Sequence, residues 1–260
     1  ALTLKKIVEE YKLDNYLEVI SNVGDTASKE YQIETALDKM EAAWKGVEFE
    51  VVPYKETGTF VIKGVDEIIA LLDEHVVMTQ AMQFSAYKAP FEERIEKWSD
   101  KLSLVYEVIE EWIGVQRQWL SLQSIFQSPD INKQLPAEGK RFASVNKTYR
   151  LVMQQVHANP DVLAYCDNPQ LLQKLQDGNK MLTTVQKKLS DYLDSKRSTF
   201  SRFYFLANEE LLQILSQAAD PTAVQPHLKK CFENVVRIEF ESNGTISAMY
   251  SGEKEKVEFC

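Results

Sequence analysis

The longest run of helical periodicity spans residues 91–127, and it limits the possible folds more than any other feature. Apolar side chains recur there at steps of three and four residues, which places them on one face of an α-helix. They are Trp98, Leu102, Val105, Ile109, Trp112, Ile113, Trp119 and Leu120. A stripe so wide and so rich in tryptophan predicts a helix packed on both sides. An aromatic surface for a partner is the alternative, although such stripes are usually core.

Four further stretches show the same period: 28–46, 65–85, 138–158 and 170–200. The apolar stripe of the last stretch consists of Leu172, Leu175, Leu182, Val185, Leu189 and Leu193. Asn159-Pro160 and Asn168-Pro169 both have the pattern of an N-cap residue followed by proline at the first helical position. Asp220-Pro221 repeats that pattern and predicts a short helix that ends near Phe232.

Two segments change to the period of a β-strand. Val47, Phe49 and Val51 alternate with glutamates, a turn follows at 54–58, and apolar residues return at 60–62, so we expect a hairpin over 47–63. The last 26 residues, 235–260, contain an Asn243-Gly244 turn and predict a three-stranded meander. The expected fold class is mainly α: an elongated stack of helical bundles with a short β-hairpin near the N-terminal third and a small antiparallel β-meander at the C-terminus.

Composition narrows the classes of partner. The formal net charge is −9, which argues against nucleic acid or an anionic membrane as the main partner. No apolar run approaches the roughly 20 residues of a membrane span. The three cysteines, Cys166, Cys231 and Cys260, are few and widely spaced, so we expect reduced thiols in a cytosolic protein. The chain begins without methionine and ends in a strand-like run, and we interpret it as part of a longer protein.

No residue pattern predicts a catalytic, cofactor or metal site. His75, His157 and His227 share no metal-ligand spacing, and we expect them at helix surfaces or helix ends. The carboxylate pairs 110–111 and 209–210 are typical of solvated faces or of first helical turns. We therefore predict that the chain is not an enzyme.

Gly139-Lys140 resembles the end of a phosphate-binding loop. Gln134 stands where the first glycine of that motif belongs, and Arg141 stands where Ser or Thr would bind magnesium. The phosphate loop is therefore absent.

An aromatic knot lies between two helical patterns. Phe200, Phe203, Tyr204 and Phe205 fall within six residues that also include Arg202. A helix exposed to solvent rarely carries so many aromatic side chains, so we expect a packed junction between two helical bodies. Ser201 and Asn208 interrupt the apolar pattern here.

The run from Tyr192 to Leu215 resembles the linker of dynein heavy chains, in which a sequence close to FPRFYFLSN-x-ELL recurs. Ser201 stands where that family usually has proline. The similarity extends in order along the chain through four further segments. They are Ala36–Met40 with Trp44, the hairpin residues 52–54 and 62–64 followed by Asp66-Glu67, Val108–Trp119 with 124–126, and Gln225–Phe232. The amino-acid sequence at 54–58 and 77–80 resembles that of axonemal heavy chains, in particular those of inner arms.

The resemblance implies a mechanical role. A dynein linker bends and straightens over a ring of AAA+ modules and so drives ATP-powered movement along microtubules. It implies that ATP and magnesium bind in the ring of the same heavy chain, and that microtubules bind only through a distant stalk. Neither part is expected in this chain. The implied location is the cytoplasm and cytoskeleton, in a ciliary or flagellar axoneme.

The resemblance also suggests a division of the chain. Residues 1–27 would be a helix adjoining the tail, 28–200 the linker bundles with the hairpin, and 201–260 the following linker portion. The alternative is a passive helical scaffold of the tail that binds intermediate or light chains.

Two sets of candidate site residues follow. The candidate hinge lies within residues 198–210, and its named residues are Phe200, Ser201, Arg202, Phe203, Tyr204, Phe205 and Asn208. An ordinary tight corner between helices is the alternative interpretation of this segment. The candidate contact with the ring is the tip of the hairpin, Tyr54, Lys55, Glu56 and Thr57.

Overall fold

The computed structural model describes residues 2–217 and 220–259, apart from the side chain of Asp14. About 71% of the described residues are helical, and the fold is mainly α as predicted. The chain forms two compact units: Ala1–Glu110 with Met153–Gln173, and Glu111–Val152 with Lys174–Cys260. Helices α3, α5 and α7, bounded below, contribute residues to both units.

The elements up to residue 123 alternate between helices and one hairpin. In order they are a π-helical turn Lys6–Glu10, a 3₁₀ turn Leu13–Tyr16, α1 Leu17–Ala43, β1 Glu50–Pro53, β2 Phe60–Lys63, α2 Val65–Gln83, a 3₁₀ turn Ala89–Phe91 and α3 Glu92–Gln123. The predicted helices and the hairpin are confirmed. The helix expected to reach residue 127 ends at Gln123.

The remaining elements follow the predicted order with one addition. They are α4 Pro129–Gln134, α5 Pro136–Ala158, α6 Val162–Cys166, α7 Pro169–Thr199, a 3₁₀ turn Ser201–Phe205, α8 Asn208–Ser216, a 3₁₀ turn Pro221–His227, α9 Leu228–Cys231, β3 Val235–Phe240, β4 Ile246–Ser251 and β5 Lys256–Glu258. The three strands pair antiparallel in the order β3-β4-β5, which confirms the meander. Cys260, which the prediction placed in it, lies outside the described residues.

The core of the first unit includes a buried polar pair. Trp44, one residue beyond α1, donates its indole N–H to Nδ1 of His75 on α2 over 2.8 Å. Both residues are at least 95% buried. The hairpin is tied at its base to the segment before α6, because Phe49 N donates to Pro160 O and Val162 N donates to Val47 O. These two hydrogen bonds therefore anchor the base of the hairpin to that segment.

The core of the second unit is built around two tryptophans of α3. Trp112 and Trp119 are completely buried. Trp119 stacks on Tyr149 with ring centroids 4.7 Å apart, and its N–H donates to Asn146 Oδ1. Trp98, in the first unit, is also buried. The interpretation of the tryptophan stripe as core is confirmed.

Helix starts were predicted with mixed success. Asn168 caps α7 by accepting from Gln170 N and Leu171 N, as expected. Asp220 likewise accepts from Thr222 N. The prediction for Asn159-Pro160 is wrong, since Asp161 is the cap of α6 and accepts from Ala164 N over 2.7 Å.

Position 160 faces a different constraint. The carbonyl of Pro160 accepts a hydrogen bond from the hairpin, which fixes the backbone there in a non-helical bridge.

At the start of α7, Leu171 is the buried leucine, and Leu172 of the predicted stripe is only partly buried. The other five residues of that stripe are buried as expected.

The division into segments 1–27, 28–200 and 201–260 concerns the roles of those segments and stays a prediction. Helix α1 runs without a break through residues 27 and 28. The compact units divide the chain at other positions.

Candidate mechanical junction

The backbone leaves the α-helical conformation between α7 and α8. Phe200 is extended, Ser201–Phe205 form one 3₁₀ turn, and Leu206 and Ala207 are extended again. Eight residues thus separate two helices, Thr199 being the last of α7 and Asn208 the first of α8. A helix transmits bending along its hydrogen-bond ladder, and that ladder is interrupted here.

A small apolar cluster lies beneath this interruption. It comprises Leu193 of α7, Leu206, Leu211 of α8 and Cys231 of α9, all at least 97% buried. Phe203 and Phe232 pack against it from the side. Burial raises the pKa of the Cys231 thiol, so this side chain is a neutral apolar member of the cluster.

Arg197 joins the end of one helix to the beginning of the next. One of its terminal nitrogens donates to Leu206 O over 3.2 Å and to Asn208 Oδ1 over 2.7 Å. Its side chain is 11% exposed, so the bond to Leu206 O lies in a partly desolvated place, whereas Asn208 is exposed. Arg197 thereby satisfies polar groups of the extended segment that no helix can satisfy.

Arg202 makes a second connection, from the 3₁₀ turn to α9. It donates to Cys231 O over 2.9 Å, and its guanidinium lies over the Phe232 ring at 4.6 Å. Phe200 meets Phe203 edge to face at 4.9 Å. The turn is therefore held by rings and by one cation.

Glu210 makes the third connection. Its carboxylate accepts from Ala207 N over 3.1 Å, which is the glutamate half of a capping box for α8. It also pairs with Lys230 Nζ at 2.7 Å and lies 3.7 Å from His227 Nδ1. The hydrogen bonds from Lys230 and from Ala207 lower the pKa of Glu210. The expectation that the pair 209–210 is merely first-turn charge missed this connection.

The expected packing of the aromatic knot is confirmed for Phe203 and holds only in part for Phe200, which is 39% exposed. It is wrong for the other two rings. Tyr204 is 62% exposed and Phe205 is 66% exposed, whereas Phe203 packs on the cluster. A 3₁₀ turn points successive side chains in different directions, so one face of it meets the protein and the other meets solvent. Among the predicted hinge residues, four have partners across the junction: Phe200, Arg202, Phe203 and Asn208.

The hairpin tip is a tight turn with its charged residues outward. Thr57 Oγ1 donates to Tyr54 O, and Tyr54 N donates to Thr59 O. Lys55 and Glu56 are exposed, and Lys55 adopts a positive φ of 49°. Tyr54 and Thr57 are half-buried, so Lys55 and Glu56 are the exposed members of the four predicted contact residues.

The structure gives the histidines and cysteines structural places. His157 is exposed near the end of α5, as expected, and stacks on Phe60 at 3.9 Å. His75 is buried within α2, so its expected surface position is wrong. His227 is buried too, but it lies at the end of a 3₁₀ turn, a helix end as expected. Cys166 and Cys231 are unbonded, as predicted, and burial raises the pKa of Cys166 to about 12.

In the described part of the chain, no cluster of three or more His, Cys, Asp or Glu side chains has the arrangement of a metal site. Of the helices in that part, none combines the length and apolarity that crossing a bilayer requires.

These observations define a mainly helical structural segment, in which long helices meet at a corner held by side chains. The whole chain, residues 1–260, matches the family model "Dynein heavy chain, N-terminal region 2". The chain therefore belongs to this family, the linker region of dynein heavy chains.

Curated relatives agree with this assignment. The chain is 53% identical to dynein axonemal heavy chain 1 of Rattus norvegicus over 95% of its length, and 52% identical to the Homo sapiens protein over 96%. It is 44% identical to dynein axonemal heavy chain 12 of Rattus norvegicus over 98%. It spans only 6% to 8% of the length of these relatives.

Proposed function

We propose that this chain is the lever of an axonemal dynein, and that it bends and straightens over the AAA+ ring of the same heavy chain. Its axonemal identity is supported by the names of the relatives, and its location would be the axoneme of a cilium or flagellum. ATP and magnesium would act in the ring, and microtubules would bind at the stalk. The segment would carry force without chemistry of its own.

The observation that carries the proposal is the interrupted helical ladder between α7 and α8. Helix α7 has 31 residues and spans about 47 Å, long enough to act as a stiff element. It ends at a corner fastened by Arg197, Arg202 and Glu210. Hydrogen bonds and ion pairs of this kind can break together and form again with other partners. A joint with two discrete arrangements needs such an exchange.

The hairpin tip is the proposed contact with the ring. Its base is tied to the segment before α6, so a force on the tip reaches the helices of its unit. Lys55 and Glu56 are both exposed, and they offer one charge of each sign to a partner.

A passive scaffold that binds intermediate or light chains is the second candidate. The exposed apolar side chains near the N-terminus favour it, among them Leu17, Val19 and Val23, each more than half exposed. A lever changes shape with the nucleotide state of the ring, whereas a scaffold keeps one shape.

Energy transfer between two dyes on the intact heavy chain separates these candidates. One pair, at Lys180 on α7 and Lys254 beyond β4, spans the junction. The control pair, at Lys147 on α5 and Lys180, precedes it. All three side chains are exposed. We expect the first distance to differ between the nucleotide-free and ATP-bound motor while the control distance stays constant. A first distance that also stays constant would refute bending at the junction.

A further inference from the structure

We propose that Thr199 is a phosphorylation site for a basophilic protein kinase, and that its phosphate loosens the corner between α7 and α8. Lys196 and Arg197 precede Thr199 by three and two residues, and Phe200 follows it. Kinases of this class select substrates by such charge patterns, binding the basic pair in an acidic groove and the next apolar residue in a pocket. The side chain of Thr199 is exposed.

The position of Thr199 makes the site usable. A kinase binds its substrate in an extended form, so the target must leave any helix. Thr199 is the last residue of α7, and Phe200 is already extended. The final turn has to open, where Thr199 Oγ1 donates to Ser195 O and Phe200 N donates to Lys196 O. Arg197 also has to release Leu206 O and Asn208 Oδ1 before a kinase can bind it. Helix ends open at low free-energy cost.

The chain contains its own comparison. Lys187-Lys188-Leu189-Ser190 has the same spacing of basic residues before an exposed hydroxyl. Ser190 lies nine residues before the end of α7, between the buried Leu189 and Leu193. Opening the helix there would expose both leucines to water. The two sites share the basic pair but differ in the following residue, because Asp191 follows Ser190 whereas Phe200 follows Thr199. The structure separates them further.

The reaction transfers the γ-phosphoryl group of ATP. Thr199 Oγ1 forms a bond to the γ-phosphorus, the bond from that phosphorus to the β,γ-bridging oxygen breaks, and ADP leaves. The hydroxyl proton passes to a carboxylate base of the kinase.

The phosphate would act on the junction through charge. It places nearly two negative charges at the C-terminal end of a helix, where the backbone dipole opposes them. Lys196, Arg197 and Arg202 lie within three residues of it in the chain. A phosphate attracts guanidinium groups strongly, so it competes with Leu206 O and Asn208 Oδ1 for Arg197. The consequence for movement rests on the proposed bending role of this segment, but the modification itself does not.

The test uses the intact heavy chain, the catalytic subunit of cAMP-dependent protein kinase and ATP. Peptide mass spectrometry locates the phosphate. We expect it on Thr199, with Ser190 modified at least about tenfold less, since opening a helix interior costs more than opening its end. Thr199→Val should lose the modification and Thr199→Ser should keep it. No phosphate at residue 199, or equal phosphate on Ser190, would overturn the proposal.

Amide hydrogen exchange provides the second readout. Phosphorylated wild type should exchange about tenfold faster at residues 206–212 than the same protein without kinase, and Thr199→Val should show no change. An unchanged exchange rate in the phosphorylated protein would refute the loosening of the corner. Neither readout depends on bending over the ring, so either can fail while the lever proposal stands, and the reverse.

Discussion

The core of the first unit contains buried polar side chains that are satisfied by hydrogen bonds. His75 accepts from Trp44 at Nδ1, which assigns its proton to Nε2 in the neutral form. Thr79, one turn later, returns its hydroxyl to the His75 carbonyl over 2.7 Å. Burial lowers the pKa of His75, and the nearby Glu74 carboxylate opposes that shift only in part. The histidine is therefore held neutral at neutral pH.

This arrangement predicts a pH-dependent stability. The unfolded chain binds a proton at His75 near pH 6.5, while the folded chain binds it only at lower pH. Stability should be full above pH 6.5 and should fall as the pH drops below that value toward the folded pKa. Urea unfolding at pH 7.5, 6.5 and 5.5 measures it. His75→Gln should flatten this dependence, whereas the exposed His157→Gln should leave it in place.

A close contact explains why residue 139 is a glycine, and the surrounding sequence does not reveal that contact. A Cβ at this position would lie 2.4 Å from Asn132 Oδ1. The side-chain amide of Asn132 donates to Phe126 O and Ser128 O, two carbonyls where the chain turns from α3 into α4. The glycine of the apparent phosphate motif therefore makes room for an amide that closes a turn.

Gly139→Ala should destabilise the chain by about 1–3 kcal/mol, because Asn132 must give up its two carbonyls or the helices must move apart. Gly24→Ala is the matched control, a helical glycine whose added Cβ meets nothing within 4 Å. That control should stabilise by up to about 1 kcal/mol. Chemical denaturation of both variants gives the comparison. Equal effects would mean that Asn132 does not constrain position 139.

At the scale of elements, periodic patterns were readable from the sequence, whereas short connections were not. The stripes of α3 and α7 follow from three- and four-residue spacing alone. Helix α4 has six residues, too few for a period to show, and it was missed. The local density of aromatic residues predicts a packed junction that includes Tyr204 and Phe205. Their exposure depends on the direction of a single 3₁₀ turn, which composition does not determine.

The corner between α7 and α8 gives a prediction at this scale. Arg197→Met keeps the apolar stem but removes the bonds to Leu206 O and Asn208 Oδ1, which should cost about 1.5–3 kcal/mol. Lys188→Met on the same helix removes only an exposed pair with Asp191 and should cost under about 0.5 kcal/mol. Hydrogen exchange at residues 206–208 should rise in the first variant alone. Comparable costs would show that Arg197 does not fasten the corner.

At the scale of the whole molecule, the sequence predicted the family and the class of fold but not the details of the corner. Ordered matches from Ala36 to Phe232 were enough to identify the linker region, because each carries distinctive residues. The roles of Arg197, Glu210 and Lys230 were not predicted, because their partners lie 9 to 20 residues away on other elements. Long polar side chains carry no period that would reveal such partners.

The proposed ring contact is tested at this scale by changing the hairpin tip in the intact motor. The variant is Lys55→Asn with Glu56→Gln, which removes both charges while asparagine tolerates the positive φ at position 55. Lys254→Asn is the matched control, since Lys254 is an exposed lysine with a φ of 69° in the turn after β4. We expect slower ATP-driven microtubule gliding for the tip variant only, with basal ATP hydrolysis preserved in both. Gliding at the wild-type speed after the double change would remove the tip from the mechanism, whatever the junction does.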